Sequence, residues 1–203
     1  MSRIAVDVVL LPDEAMANKA IEVNADLVKK FGNEIVLDKE NCLPHISLTM
    51  GCLEETDIAS VQEVLEEIAK ETSLSVLKVL GIRSSINSKG EVVSVFEVEK
   101  TTRLQSLHEK IMDGLSLYLT GDVTEDMIYG NEEVAASTLL WIKNYRQKSS
   151  FEKFFPHITI GYGQVEYQLQ SVTFTASKLA LCHMGNHCTC RKILVSIELQ
   201  EVE

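Results

Sequence analysis

The chain has 203 residues, 45% of them apolar and 24% charged, with 10 glycines and 3 prolines. That is enough to bury a substantial core, and it excludes intrinsic disorder, collagen-like repeats and a small disulfide-stapled scaffold. Its 19 Lys and Arg against 30 Asp and Glu leave a net charge of −11. Such a surface repels polyphosphate and argues against duplex DNA as a partner, while allowing a small anionic substrate in a locally basic pocket.

In chain order, Met1–Pro12 carries an apolar run broken by Asp7 and has no small-residue cleavage site, so Ile4–Leu11 reads as a first strand rather than a signal peptide. Pro12-Asp13-Glu14 opens a helix in which Met16, Ala20, Val23 and Leu27 recur at helical spacing until Gly32. Asn33–Leu37 and His45–Leu53 are predicted strands. Thr56, followed by Asp57, is the expected cap of a second helix with Val61, Val64, Leu65 and Ile68 inside. Leu74–Ile82 and Val92–Val98 are strands joined by the turn-rich Asn87-Ser88-Lys89-Gly90, and Thr101 caps a third helix with Leu104, Leu107, Ile111 and Leu115 inward. Residues 120–130 are acidic and loop-like. A fourth helix from Glu132 to Gln147 carries the one tryptophan, Trp141, and the strands His157–Tyr162, Val172–His183 and Thr189–Leu199 follow, the last two joined through Gly185-Asn186.

Strands arriving in adjacent pairs between helices argue for an α+β fold with antiparallel sheets. No Ser/Gly/Pro-rich linker divides the chain, so residues 1–203 are expected to form a single bilobal domain. No apolar stretch approaches the ~18–20 residues of a membrane span. The five cysteines, Cys42, Cys52, Cys182, Cys188 and Cys190, are odd in number and widely split. They read as reduced thiols of a cytoplasmic protein.

One segment occurs twice. Cys42–Gly51 reads C-L-P-H-I-S-L-T-M-G and Phe154–Gly163 reads F-F-P-H-I-T-I-G-Y-G, so two of the three prolines directly precede a histidine in matching context. His45 and His157 lie in different halves of the chain, which implies two similar lobes related by an approximate two-fold. Residues i and i+2 of a strand share a face. His45 therefore projects with Ser47, and His157 with Thr159, while Ile46, Leu48, Ile158 and Ile160 face the core. Facing lobes would bring two imidazoles and two hydroxyls to one cleft. That set suits in-line displacement at phosphorus: a neutral imidazole removes a proton from the attacking oxygen, and an imidazolium protonates the leaving oxygen. The hydroxyls can hydrogen-bond the phosphoryl oxygens. No P-loop, nucleophile elbow or metalloprotease helix is present in the sequence.

The duplicated P-H-I-[ST] resembles the paired H-x-[ST] motifs of the 2H phosphoesterase superfamily, which includes 2′-5′ RNA ligases, RNA 2′,3′-cyclic phosphodiesterases and plant cyclic nucleotide phosphodiesterases. The resemblance implies a bilobal fold, with two antiparallel sheets lining a central cleft and helices outside. It also implies metal-independent opening of a 2′,3′-cyclic phosphate to a 2′-phosphate, with 2′-5′ RNA ligation in some members. Carried over by position, the catalytic histidines fall on His45 and His157, the phosphate-binding hydroxyls on Ser47 and Thr159, and a substrate-side aromatic on Tyr162. No metal or other cofactor is implied. The strong acidity, and an acidic stretch Gly121–Val134 that resembles an insertion, favour a small cyclic nucleotide or an RNA end over long RNA, and a monomer without membrane contact.

Blander readings stand beside these. An isolated strand histidine is ordinary structure, and the same cleft could bind a nucleotide or RNA end without turning it over. Lys143, Arg146, Lys148 and Lys153 read chiefly as a solvated face, although they could rim the cleft. Cys182, His183, His187, Cys188 and Cys190 follow no recognised zinc spacing and read as a hairpin. His108 reads as a partly exposed bystander on its helix.

Overall fold

The computed structural model describes residues 2–32, 34–73, 76–87, 90–166 and 169–200. Its elements are β1 (Arg3–Leu11), α1 (Glu14–Phe31), β2 (Ile46–Glu54), α2 (Ile58–Lys70), β3 (Leu77–Ile86), β4 (Val92–Val98), α3 (Thr102–Gly114), α4 (Ala136–Lys148), β5 (His157–Tyr162), β6 (Val172–Phe174), β7 (Lys178–Gly185) and β8 (Thr189–Glu198). Single 3-10 turns occupy Glu55–Asp57, Glu125–Met127, Phe151–Lys153 and Asn186–Cys188. No helix among the described residues is long and apolar enough to cross a membrane.

The strands form one curled antiparallel sheet in the order β6-β3-β4-β5-β2-β1-β7-β8. The two sheets expected from the sequence are its two halves, fused where β2 meets β5 through the single pair Ile46↔Ile158. The repeat extends beyond the motifs. In β1–β2 the register slips so that Val8 faces Thr49 and Val9 faces Ser47, and in β4–β5 Ser94 faces Gly161 and Val95 faces Thr159. Leu48 and Ile160 are thus equivalent bulged residues, each skipped by its partner strand.

Each bulge is tied down from the other half. On α3, buried His108 has its Nδ1 2.7 Å from the Leu48 carbonyl, and its Nε2 accepts the Phe151 N–H at 2.8 Å. On α1, buried Asn24 donates to the Ile160 and Ile35 carbonyls at 3.0 and 2.8 Å and accepts the Leu37 N–H at 2.8 Å. A bulge leaves backbone groups outside the ladder, and burial makes an orphan costly, so each helix supplies the missing partner. Gly161 allows this approach: its φ is +125°, and a Cβ there would lie 2.9 Å from Asn24 Nδ2. His108 is therefore no exposed bystander. It is fully buried, stacked 4.1 Å from Phe154, and burial pulls its imidazole below the ordinary value.

The main core lies between the outer face of the sheet and helices α1, α2 and α3. It joins Val6, Val8, Leu10, Ile46, Leu48, Phe96, Ile158 and Ile160 to Met16, Leu27, Leu65, Leu104 and Leu107. Helix α4 departs from the expectation that helices pack outside. Ile142 joins a separate cluster with Ala5, Cys52, Met127, Ile128 and Met184, and Trp141 and Tyr145 line the cleft. α4 begins at Ala136 rather than Glu132, because Asn186 accepts the Ala135 N–H and donates to the Glu133 carbonyl, each at 3.0 Å, holding those residues to the β7–β8 turn.

Other local expectations shift for identifiable reasons. Thr56 falls within a 3-10 turn, and α2 starts without a side-chain cap. Residues 34–38 form no strand; the backbone there bonds to Asn24 instead. Asn33, residues 74–75 and the turn positions 88–89 lie outside the described residues. The predicted strand Val172–His183 breaks at residues 175–177, where Thr175 donates to the Asp13 carboxylate at 2.7 Å and accepts the Asp13 N–H at 2.8 Å. β6 therefore pairs with β3 while β7 pairs with β1, so the C-terminal strands join both halves of the sheet.

Candidate active site

The antiparallel pair Ile46↔Ile158 places Ser47 across from His157 and His45 across from Thr159, all on the cleft face. The four motif residues form a compact quadrangle with the imidazoles on one diagonal and the hydroxyls on the other. They line a cleft of about 510 Å³, and Tyr162 lines it too.

Both histidines are oriented in the same way. His45 Nδ1 is 2.7 Å from the Leu43 carbonyl, and His157 Nδ1 is 2.7 Å from the Phe155 carbonyl. A carbonyl only accepts, so each Nδ1 carries the hydrogen and each Nε2 is the basic nitrogen left to the cleft. Leu43 is itself pinned, its N–H donating to the Cys190 carbonyl at 3.0 Å. Burial lowers both imidazoles, His45 to about 4 with the nearby His157 adding to the effect, and His157 in the same direction. In the free protein at neutral pH both rings are therefore uncharged. An anion bound between them would favour protonation of one.

The two hydroxyls are not equivalent. Thr159 makes no side-chain hydrogen bond among the described residues, whereas Ser47 Oγ lies 2.6 Å from Asp7 Oδ2. Asp7 is buried, its Oδ1 has no hydrogen-bond partner among the described residues, and its Oδ2 is 3.7 Å from His45 Nε2. Burial pushes its carboxyl well above the ordinary carboxylate range, and the Ser47 hydrogen bond opposes this only in part. In the sequence Asp7 reads merely as an interruption of an apolar strand. That interruption is the available signal: a carboxylate inside a fully buried run needs a reason.

The rest of the cleft wall is aromatic and basic. Tyr162 donates to, or accepts from, His187 Nδ1 at 2.9 Å, and burial pushes its phenol up to about 12. Arg83 lies 5.0 Å over the Phe155 ring. Lys148 and Lys153 line the cleft rather than only a solvated face, while Arg146 covers Phe151 at 5.4 Å. Among the described residues the lining includes Arg83, Lys148 and Lys153 and no carboxylate, so a chain of net charge −11 still presents a locally basic pocket. Arg83, Trp141, Tyr145 and His187 belong to this wall, and no local motif announces them.

The Cys/His hairpin holds itself together. Cys182 and Cys190 form a disulfide with Cα atoms 5.7 Å apart, which corrects the expectation of reduced thiols at these two positions. His183 Nε2 is 3.0 Å from the Met127 carbonyl. Among the described residues, no group of three or more His, Cys, Asp or Glu side chains is disposed to hold a metal ion.

No family model and no curated protein matches the sequence. Solved structures do. TT0787 of Thermus thermophilus is 14% identical, with a TM-score of 0.60, and the alignment covers 98% of this chain and 100% of that one. E. coli LigT in its apo form is 11% identical, with a TM-score of 0.50 and coverage of 98% and 99%. Near-complete coverage at such low identity means that the overall fold is shared while most side chains are not. The chain has the same overall fold as TT0787 and E. coli LigT.

Proposed function

We propose that this protein is a metal-independent phosphodiesterase that opens 2′,3′-cyclic phosphates of nucleotides or RNA ends to 2′-phosphates by two-histidine acid–base catalysis. The observation that carries the reading is the matched pair His45 and His157: each Nδ1 is bonded to the carbonyl two residues earlier, and each Nε2 is left to one basic cleft. One neutral imidazole removes a proton from water as the water oxygen bonds to phosphorus. The P–O3′ bond breaks on the opposite side, and the other ring, protonated in the presence of the anionic substrate, gives its proton to O3′. The phosphate remains on O2′. An RNA 5′-hydroxyl in place of water would form a 2′-5′ linkage by the same steps. Ser47 and Thr159 hydrogen-bond the phosphoryl oxygens, where charge accumulates, and Tyr162 borders the sugar or base. Arg83, Lys148 and Lys153 attract the anion.

The test is a screen of 2′,3′-cyclic mononucleotides, RNA with a cyclic phosphate end and ADP-ribose cyclic phosphate, with and without EDTA, with product identification. Turnover should resist the chelator and yield 2′-phosphates. His45→Ala and His157→Ala should each lower kcat by about 10²–10⁴-fold while melting near wild type. Near-normal turnover in either variant rejects the mechanism. Tight binding of cyclic phosphates with no product would identify the cleft as a binding module instead.

A further inference from the structure

Within the reaction proposed above, one buried group has no assigned task. We propose that Asp7 is a positioning residue that carries its proton, donates a hydrogen bond to Ser47, and thereby turns the Ser47 hydroxyl hydrogen toward the phosphoryl oxygens of the substrate.

A serine hydroxyl has one hydrogen. If Asp7 were a carboxylate, the 2.6 Å contact would consume that hydrogen, and Ser47 would face an anionic substrate with lone pairs only. A negative charge would also stand directly behind the phosphate site. With Asp7 protonated, Oδ2–H donates to Ser47 Oγ and the serine hydrogen is released to the cleft.

The surroundings favour the protonated form. Asp7 is buried, and among the described residues Oδ1 has no partner and no lysine or arginine pairs with it. The titratable groups that meet it are His45 at the entry to β2, Tyr145 on α4 and Cys188 in the β7–β8 turn. Its neighbour on β7, Cys182, is held in the disulfide. All of these groups are neutral at pH 7 when His45 is unprotonated, and burial raises the Asp7 carboxyl in the same sense.

The internal symmetry shows that the fold does not require the carboxyl. Asp7 pairs with Met50, and the equivalent pair in the other half is Val93 with Tyr162. A partly buried valine thus occupies the equivalent position of the second bulged strand pair, and Thr159 makes no side-chain hydrogen bond among the described residues. A buried carboxyl with an unpartnered oxygen costs stability where valine would not. Its presence beside Ser47 alone points to function.

The test compares wild type with Asp7→Asn, Asp7→Val, Ser47→Ala and the Asp7→Val/Ser47→Ala double variant, using 2′,3′-cyclic AMP. The Asn amide can donate to Ser47 as a protonated carboxyl does, so kcat/KM should stay within about threefold, and loss at alkaline pH should set in later than in wild type. Asp7→Val should lower kcat by about tenfold or more without loss of stability, and should add nothing once Ser47 is alanine. An Asn variant as impaired as the Val variant, or losses that multiply in the double variant, would overturn the proposal. Infrared difference spectra of wild type against Asp7→Asn at pH 7 read the carboxyl without any substrate: a protonated C=O band is expected, and carboxylate bands alone refute the arrangement. A protein that shows the protonated band but turns over no cyclic phosphate would sink the proposed reaction while leaving the Asp7–Ser47 hydrogen bond in place.

Discussion

Replacing Asn24 with alanine tests whether the crossed helix ties support the site. Asn24 is 1% exposed and makes three hydrogen bonds to backbone, two as donor and one as acceptor. The mix of two carbonyls and one N–H determines which side-chain atom is oxygen. Alanine would strand the Leu37 N–H and deprive the Ile35 and Ile160 carbonyls of a partner. A buried group left unsatisfied costs about 1–3 kcal/mol. Carbonyls tolerate loss better than N–H groups, so the total is about 3–5 kcal/mol, or roughly 6–20 °C in Tm at about 2–4 °C per kcal/mol for a chain of this size. Urea and thermal unfolding measure the loss, and amide exchange locates it: Leu37 should lose protection before the strands do. Asn24→Asp should be at least as damaging, because it removes both donors and turns a charge on two carbonyls. A loss below about 1 kcal/mol, with Leu37 still protected, would refute the account of how β5 and the residues ahead of the first motif are held.

Two further outcomes are expected. The His45 pKa in the folded state, about 4, lies below its ordinary value of 6.5. As pH falls through that window the unfolded chain takes up a proton that the folded site refuses, so stability present at pH 7 should drop by about 3 kcal/mol toward pH 4. His157 acts in the same direction; urea midpoints at pH 7 and 5 for wild type and His45→Gln check this, and an unchanged pH slope in the variant contradicts it. Reducing Cys182–Cys190, which are 8 residues apart, should cost about 2–3 kcal/mol from loop-closure entropy; equal midpoints with and without reductant, or with Cys182→Ser, would show that the bond contributes nothing in solution.

Much of the molecule is readable locally. The N-caps Asp13 and Thr101 both accept hydrogen bonds as their sequence context implies. Val92–Val98 and His157–Tyr162 occur at the predicted bounds because alternation with a period of two leaves little choice of register. The same periodicity places His45 with Ser47 and His157 with Thr159, and the repeated Pro-His-Ile marks both strands for one cleft.

What stays hidden depends on segments far apart in the chain. Asp7, Asn24 and His108 are polar residues in apolar patterns, and nothing near them in sequence names the hydroxyl or the bulged carbonyls they bind. The break between β6 and β7, the position of α4 on the cleft face and the fusion of two half-sheets likewise have no local signature. Local patterning sets which face of a strand is polar, because that follows from backbone geometry alone. Which strands become neighbours is decided by burial and hydrogen-bond satisfaction across the whole fold, and only there do a serine, an aspartate and two histidines acquire a common environment.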